Sequence, residues 1–290
     1  MNPALIVIVS CLGRSDAQGA FPPEPSGDLP KQVEAAARAL GFHGVVLAGS
    51  PSSISFNQAF AKSEFPATTE TRYWIASITK SFTATLIYKL QDEGRLTLSD
   101  KLSKFFPDAS ADKREITITQ LLTHTSGLPD AYASEGVTDR TDAARRILAL
   151  ALVHPPGQTF GYSSDGYSLL AIIASIVAKT DYGDLIKQKI FKPAGMKDSG
   201  LWPVCPGKKP VMPLSTKLAA EMMRPNWGYK GPDGICSTTA DLARFMIALL
   251  KGKILRPASL EAMWAGAVQV KVGRVASGRF LHTSPAGHRS

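Results

Sequence analysis

The residues with the plainest chemical potential in this sequence are Ser77-Ile78-Thr79-Lys80, at the head of an apolar run. Side chains three positions apart share a helix face, so Lys80 can reach the Ser77 hydroxyl. A helix beginning at Ser77 also places that hydroxyl at the positive end of the helix dipole, where an oxyanion is stabilised. Tyr73, Trp74, Ile75, Phe82, Leu86 and Ile87 are expected to enclose the lysine in apolar surroundings, which weaken its hold on a proton and suit it to act as a base. The spacing alone is weak evidence, since about one such pair arises by chance in a chain of this size. A second pair, Ser110-x-x-Lys113, lies in a polar stretch with no helix start behind it, so context selects Ser77.

The elements that must position this pair follow from periodicity and punctuation. A helix is expected over Lys31–Leu40, then two strands, Gly44–Ala48 and Ile54–Ala61, joined by the turn-like Gly49-Ser50-Pro51-Ser52. The nucleophile helix should run from Ser77 to Glu93 and stop at Gly94. Thr117-x-x-Gln120 has capping-box spacing and opens a helix expected to end near Ser126-Gly127. Further helices are expected over 142–153, over Tyr167–Lys179 (apolar nearly all round, hence buried) and from Thr238 to Leu250. Val268–Val272 and Arg279–Thr283 read as short strands. Strands at both ends with helices between them give an α+β fold: an antiparallel sheet assembled from the two termini and flanked by helices, with an inserted mainly helical region at about 97–250.

Bulk composition narrows the class. A 290-residue chain with 44% hydrophobic residues can build a large core. The net charge of +9 comes from scattered Lys and Arg without interleaved aromatics, which describes a solvated surface and excludes a nucleic-acid partner. Residues 1–29 read as a signal-like leader and linker ahead of a catalytic domain at 30–290. The apolar start MNPALIVIVSCL is too short to span a bilayer. It fits the h-region of a signal peptide without its basic flank, a lipoprotein-type start with Cys11 lipidated, or a plain terminus. A periplasmic, secreted or lipid-anchored location is expected, with a cytoplasmic one as the alternative, and membrane association only if Cys11 carries lipid. Cys205 and Cys236 are either joined in an oxidising compartment or two buried thiols. No pattern calls for a metal or a cofactor.

Residues Arg72–Ala84 (RYWIASITKSFTA) resemble the active-site segment of the β-lactamase-related serine hydrolases, which include class C β-lactamases, penicillin-binding proteins, D-amino-acid-specific peptidases and family VIII esterases. Three more stretches match in order: Leu121–Pro129 (LLTHTSGLP), Pro156–Ser163 (PGQTFGYS) and Ser237–Phe245 (STTADLARF). The resemblance implies a β-lactamase/transpeptidase-like fold, no cofactor and an acyl-enzyme mechanism. It assigns Ser77 as nucleophile with Lys80 as its partner. Tyr162 takes the tyrosine position of a Tyr-x-Asn motif, as base or proton shuttle. Ser164 stands where that motif has asparagine, and lacks the amide donor. His282-Thr283-Ser284 takes the place of a Lys-Thr-Gly or His-x-Gly triplet, making Ser164, His282 and Thr283 the expected substrate-binding residues.

His282 in place of lysine favours an esterase or D-peptidase-like activity over a class C β-lactamase, because the lysine suits a β-lactam carboxylate. The expected substrate is thus a small ester, peptide or β-lactam. Pro285 follows the triplet where the family uses a backbone N–H as second oxyanion donor, and proline has none. The resemblance further implies two strands and a helix after the triplet, so the fold is expected to be C-terminally truncated, its last strand lacking an inner neighbour. Ser164, Ser284, Pro285 and this ending together carry the competing reading, a catalytically impaired member or fragment of the family.

Overall fold

The computed structural model describes residues 29–39, 42–49, 54–61, 66–206 and 226–265, and strands at 268–270, 273–276 and 279–282. Helix α1 (Leu29–Ala39) precedes an antiparallel hairpin of β1 (Gly44–Gly49) and β2 (Ile54–Phe60), with Gly44 opposite Phe60 and Ala48 opposite Phe56. Ala37, Val46, Ala48, Phe56 and Phe60 form a small core between helix and hairpin. These elements fall where the sequence places them. Residues 1–28, on which the leader expectation rests, lie outside the described residues.

Strand β3 (Tyr73–Trp74) leads through a 3₁₀ turn (Ala76–Ile78) into α2 (Thr79–Asp92), and Gly94 adopts the left-handed conformation (φ 68°) just beyond it. Ser77 therefore sits in the 3₁₀ turn, and the α-helix proper begins two residues later than the spacing suggests. After α3 (Leu102–Phe105), Thr117 caps α4 (Ile118–Leu122) with the full capping box. That helix ends several residues before Ser126, because His124 turns to φ 57° and lends its backbone to the next segment. Helix α5 (Arg140–Leu148) starts from an Asp139 cap and also stops early: Val153 N–H is taken by Gly127 O at 2.8 Å instead of continuing the helix.

Helix α6 (Ser164–Ala178) is the axis of the main core. Thirteen of its fifteen residues are buried, as its all-round apolarity requires. Around it pack α2, α4, α5 and α7 (Tyr182–Ile186), the last passing through a π turn (Lys187–Phe191) into α8 (Lys192–Ala194). The remaining helices are α9 (Trp227–Lys230), α10 (Thr239–Leu250), begun by a Thr238 side-chain cap, and α11 (Pro257–Trp264). Phe82 of α2 stacks on Phe245 of α10 with ring centres 4.0 Å apart, and meets Phe191 edge-on.

The strands form three antiparallel sheets: β1–β2; β3–β5–β4, where β4 is Gly200–Leu201 and β5 is Ile235–Ser237; and a meander of β6 (Val268–Val270), β7 (Gly273–Ala276) and β8 (Arg279–His282). The sequence suggested a single sheet built from both termini; among the described residues no ladder joins the hairpin to the meander. The strand expected over 268–272 is shorter, because the chain turns there to form β7, with Val270 opposite Gly273. Cys205 and Cys236 are joined as a disulfide, tying β5 to the segment after β4.

Phe82 is fully buried between three helices. Phe82→Ala is expected to cost about 3–5 kcal/mol of unfolding free energy. Urea denaturation monitored by circular dichroism checks this, and a loss below about 1 kcal/mol would mean the stack is not a core contact.

Candidate active site

The site is built where β3 and β5 run antiparallel. Trp74 pairs with Cys236, so the end of β3 and the start of β5 lie side by side. The chain leaving β3 makes the Ser77 turn, and the chain entering β5 carries Pro232 and Asp233. Ile75 N–H donates to Ile235 O at 3.0 Å, and Ile235 N–H donates to Thr79 Oγ1 at 3.1 Å. Trp74 Nε1–H donates to the Asp233 carbonyl. Thr83 Oγ1, one turn further along α2, donates to Gly231 O at 2.6 Å. Gly231 has to be glycine, because a Cβ there would come within 2.1 Å of the Tyr167 carbonyl oxygen.

Ser77 is exposed, and its Oγ accepts from Lys80 Nζ at 3.1 Å and from Tyr162 OH at 2.8 Å. The structure thus brings Ser77, Lys80 and Tyr162 together. Lys80 is only 2% exposed, but its surroundings differ from the apolar enclosure expected. Besides Ser77, its Nζ donates to Pro232 O at 3.3 Å and Ser164 Oγ at 3.4 Å, and stands 3.6 Å from Asp233 Oδ1. The rings of Tyr162 and Tyr167 cover it at 4.8 and 5.8 Å. Ser164 keeps contact with Lys80 despite its short side chain, and it is fully buried. His282 falls in β8 opposite Gly273, and Thr283 lies outside the described residues, as do Ser284 and Pro285. The accidental pair also meets, Lys113 Nζ lying 3.4 Å from Ser110 Oγ, but Asp112 holds that lysine at 2.7 Å within a run of turns.

Two residues that the sequence did not single out complete the site. Ser77 Oγ–H donates to Asp233 Oδ1 at 3.0 Å, and Tyr132 OH donates to Asp233 Oδ2 at 2.7 Å. Ser164 Oγ–H in turn donates to Tyr132 OH at 3.1 Å. Burial, then the neighbouring Asp233 charge, push the Tyr132 phenol far above its ordinary range, so it serves as a donor. The available signals were positional: Tyr132 lies three residues after the Leu121–Pro129 match, and Asp233 four residues before the Ser237–Phe245 match.

Two buried groups hold the loops that carry these side chains. His124 stacks on the Tyr162 ring with centres 4.5 Å apart. Its carbonyl accepts Gly161 N–H at 2.8 Å, and its Nδ1 accepts Ser163 N–H at 3.1 Å. Burial, aided by the Lys80 charge, lowers its pKa to about 3, so the ring is neutral and free to accept. The Asp165 carboxylate accepts the N–H groups of Ala131, Tyr132 and Ala133, each at 2.8 Å, fixing the turn in which Tyr132 adopts φ 49°. Burial raises the Asp165 pKa, and those three bonds partly offset the rise.

An exposed serine bonded to a buried lysine and a tyrosine, on a helix-rich α+β scaffold, defines a serine hydrolase architecture. The family model described as Beta-lactamase matches residues 33–284, and the chain belongs to that family. Protein flp of Staphylococcus aureus (strain MW2) is 41% identical over 140 residues, which is 45% of this chain; the chain spans 28% of that protein's length. A penicillin-binding protein from Bacillus halodurans superposes with a TM-score of 0.74 at 23% identity, covering 88% of this chain and 85% of its own. A D-stereospecific amidohydrolase from Streptomyces sp. gives a TM-score of 0.59 at 26% identity, covering 76% of this chain and 73% of its own.

The depressed His124 pKa makes stability depend on pH. The unfolded chain takes up this proton near pH 6.5 and the folded chain only near 3, so stability is complete above about 6.5 and falls as the pH drops from there toward 3. His124 alone should contribute a loss of about 2.5 kcal/mol between pH 7 and 4.5. Urea denaturation of the wild type and of His124→Gln at both pH values checks this; equal losses in the two proteins would contradict it.

Proposed function

We propose that this chain cleaves ester or amide bonds through a Ser77 acyl-enzyme, with an esterase or D-peptidase-like preference. The observation that carries the reading is the exposed Ser77 Oγ held between Lys80 Nζ at 3.1 Å and Tyr162 OH at 2.8 Å. Ser77 Oγ attacks the carbonyl carbon, and the charge that develops on oxygen forms beside the Ser77 N–H in the turn that starts α2. Lys80 and Tyr162 both touch Oγ and are catalytic residues, and Tyr162 is placed to hand a proton to the leaving group. Ser164, buried behind them, holds Lys80 in place. His282 in place of lysine supports the esterase or amidase side over a class C β-lactamase, as does the likeness to the Streptomyces amidohydrolase. The substrates are small esters, amides or peptides.

The Cys205–Cys236 disulfide supports a periplasmic or secreted setting, since such bonds persist in oxidising compartments. Among the described residues no helix is long and apolar enough to cross a membrane. A second reading, a catalytically impaired member, is favoured by Pro285, which cannot supply a second oxyanion N–H.

Purified protein incubated with a fluorophosphonate probe and short-chain p-nitrophenyl esters separates these readings. Labelling at Ser77 and ester turnover, both abolished in Ser77→Ala, are expected, with nitrocefin hydrolysed far more slowly than the esters. Folded wild type that neither labels nor turns over above the Ser77→Ala control would select the impaired reading, and nitrocefin as the best substrate would select the β-lactamase.

A further inference from the structure

We infer that Asp233 is a fourth catalytic residue, the group that accepts the Ser77 proton, with Lys80 acting as a fixed cation. This rests on the reading of Ser77 as the nucleophile. The direction of the hydrogen bonds carries the inference. Lys80 Nζ donates to Ser77 Oγ, Ser164 Oγ and Pro232 O, and stands 3.6 Å from Asp233 Oδ1 as an ion pair. In an ion pair with a carboxylate the lysine is an ammonium, which has no lone pair to offer. Tyr162 also donates to Ser77. The serine's own proton is directed at Asp233 Oδ1, 3.0 Å away.

The network has a single sink. One path runs from Lys80 through Ser77 to Asp233 Oδ1; the other runs from Lys80 through Ser164 and Tyr132 to Oδ2. Both oxygens of a carboxylate that is 3% exposed are thereby aimed at the nucleophile and its support. Tyr132 positions Asp233 without touching the serine.

The step balances without any further reagent. As the Oγ–carbon bond forms, the Oγ–H bond breaks, its proton passes to Oδ1, and the carbonyl π pair moves to oxygen. The collapsing intermediate expels the leaving group, which takes up the proton that Asp233 had accepted and so restores the carboxylate. In deacylation a water gives its proton to Asp233, its oxygen bonds the acyl carbon, and the Ser77 oxygen recovers the proton. Lys80 stays charged throughout and offsets the negative charge that builds on Oγ.

Asp233→Asn tests this, because the amide keeps size and an acceptor oxygen but cannot take the proton. With p-nitrophenyl acetate as substrate, kcat/KM is expected to fall at least 100-fold in a variant shown to be folded by circular dichroism. The acidic limb of the wild-type kcat/KM profile should vanish with it. Among the described residues, the titratable groups nearby include Lys80, Tyr132 and Tyr162, which donate into this cluster, His124, stacked on Tyr162, and Asp130, which accepts the Ser164 N–H; loss of the limb in Asp233→Asn is what assigns it to Asp233. A folded Asp233→Asn enzyme within fivefold of wild type would overturn the inference.

If that variant does not fold, Tyr132→Phe decides. Removing a donor to the carboxylate disfavours its charged form, so the acidic limb should move to higher pH, and an unmoved limb overturns the inference. A folded wild type without ester turnover above Ser77→Ala would sink the hydrolase reading and this one with it. Turnover in wild type with an indifferent Asp233 would sink this one alone.

Discussion

Everything at the centre of this molecule depends on how one buried positive charge is compensated. Lys80 and Asp233 bring opposite charges to within 3.6 Å, with side chains only 3% and 4% exposed. Desolvating two ions costs several kcal/mol each, and the cost is recovered only if their remaining donors and acceptors are met. Here they are met by Ser77, Ser164, Pro232 O and Tyr132, the same groups that surround the nucleophile. The electrostatic need of the pair and the geometry of the site are one arrangement. Ser77 lies at its outer edge, where it meets solvent.

That arrangement sets requirements far from itself. Asp233 meets Ser77 because strands of two and three residues pair across a long stretch of sequence, and because Thr79 and Thr83 of α2 clasp the 231–235 segment. Such short strands cannot hold a register alone; β4 and the disulfide brace β5 on its other side. The opposite wall rests on two groups that never touch the serine. Neutral His124 accepts a backbone N–H and stacks on Tyr162, and Asp165 gathers three backbone N–H groups to shape the turn that presents Tyr132. Helix α6 joins both walls, since Ser164 and Asp165 open it.

How much of this was legible in the sequence follows from the range of each interaction. The capping box at Thr117, the Thr238 cap and the apolar girth of α6 are local, and the chain folds there as its residues imply. So is the Ser77–Lys80 contact, three residues apart. The early ends of α4 and α5 were hidden because their backbone groups are taken by distant partners, Gly161 and Gly127 among them. Asp233 was hidden for a stronger reason. Gly231-Pro232-Asp233-Gly234 has the composition of an ordinary turn, and nothing local shows that β3 will carry Ser77 alongside it. Tyr132 was likewise an unremarked loop residue until Asp165 folded the loop around itself.

The central claim is that Lys80 and Asp233 form one buried unit on which the site is built. A double-mutant cycle on unfolding free energy tests it most directly, using Lys80→Met, Asp233→Asn and the pair combined. Each single change leaves a buried partner uncompensated and should cost about 3–5 kcal/mol, while the double variant should cost no more than either single one. Losses that simply add would show the two charges to be independent, and would contradict the account.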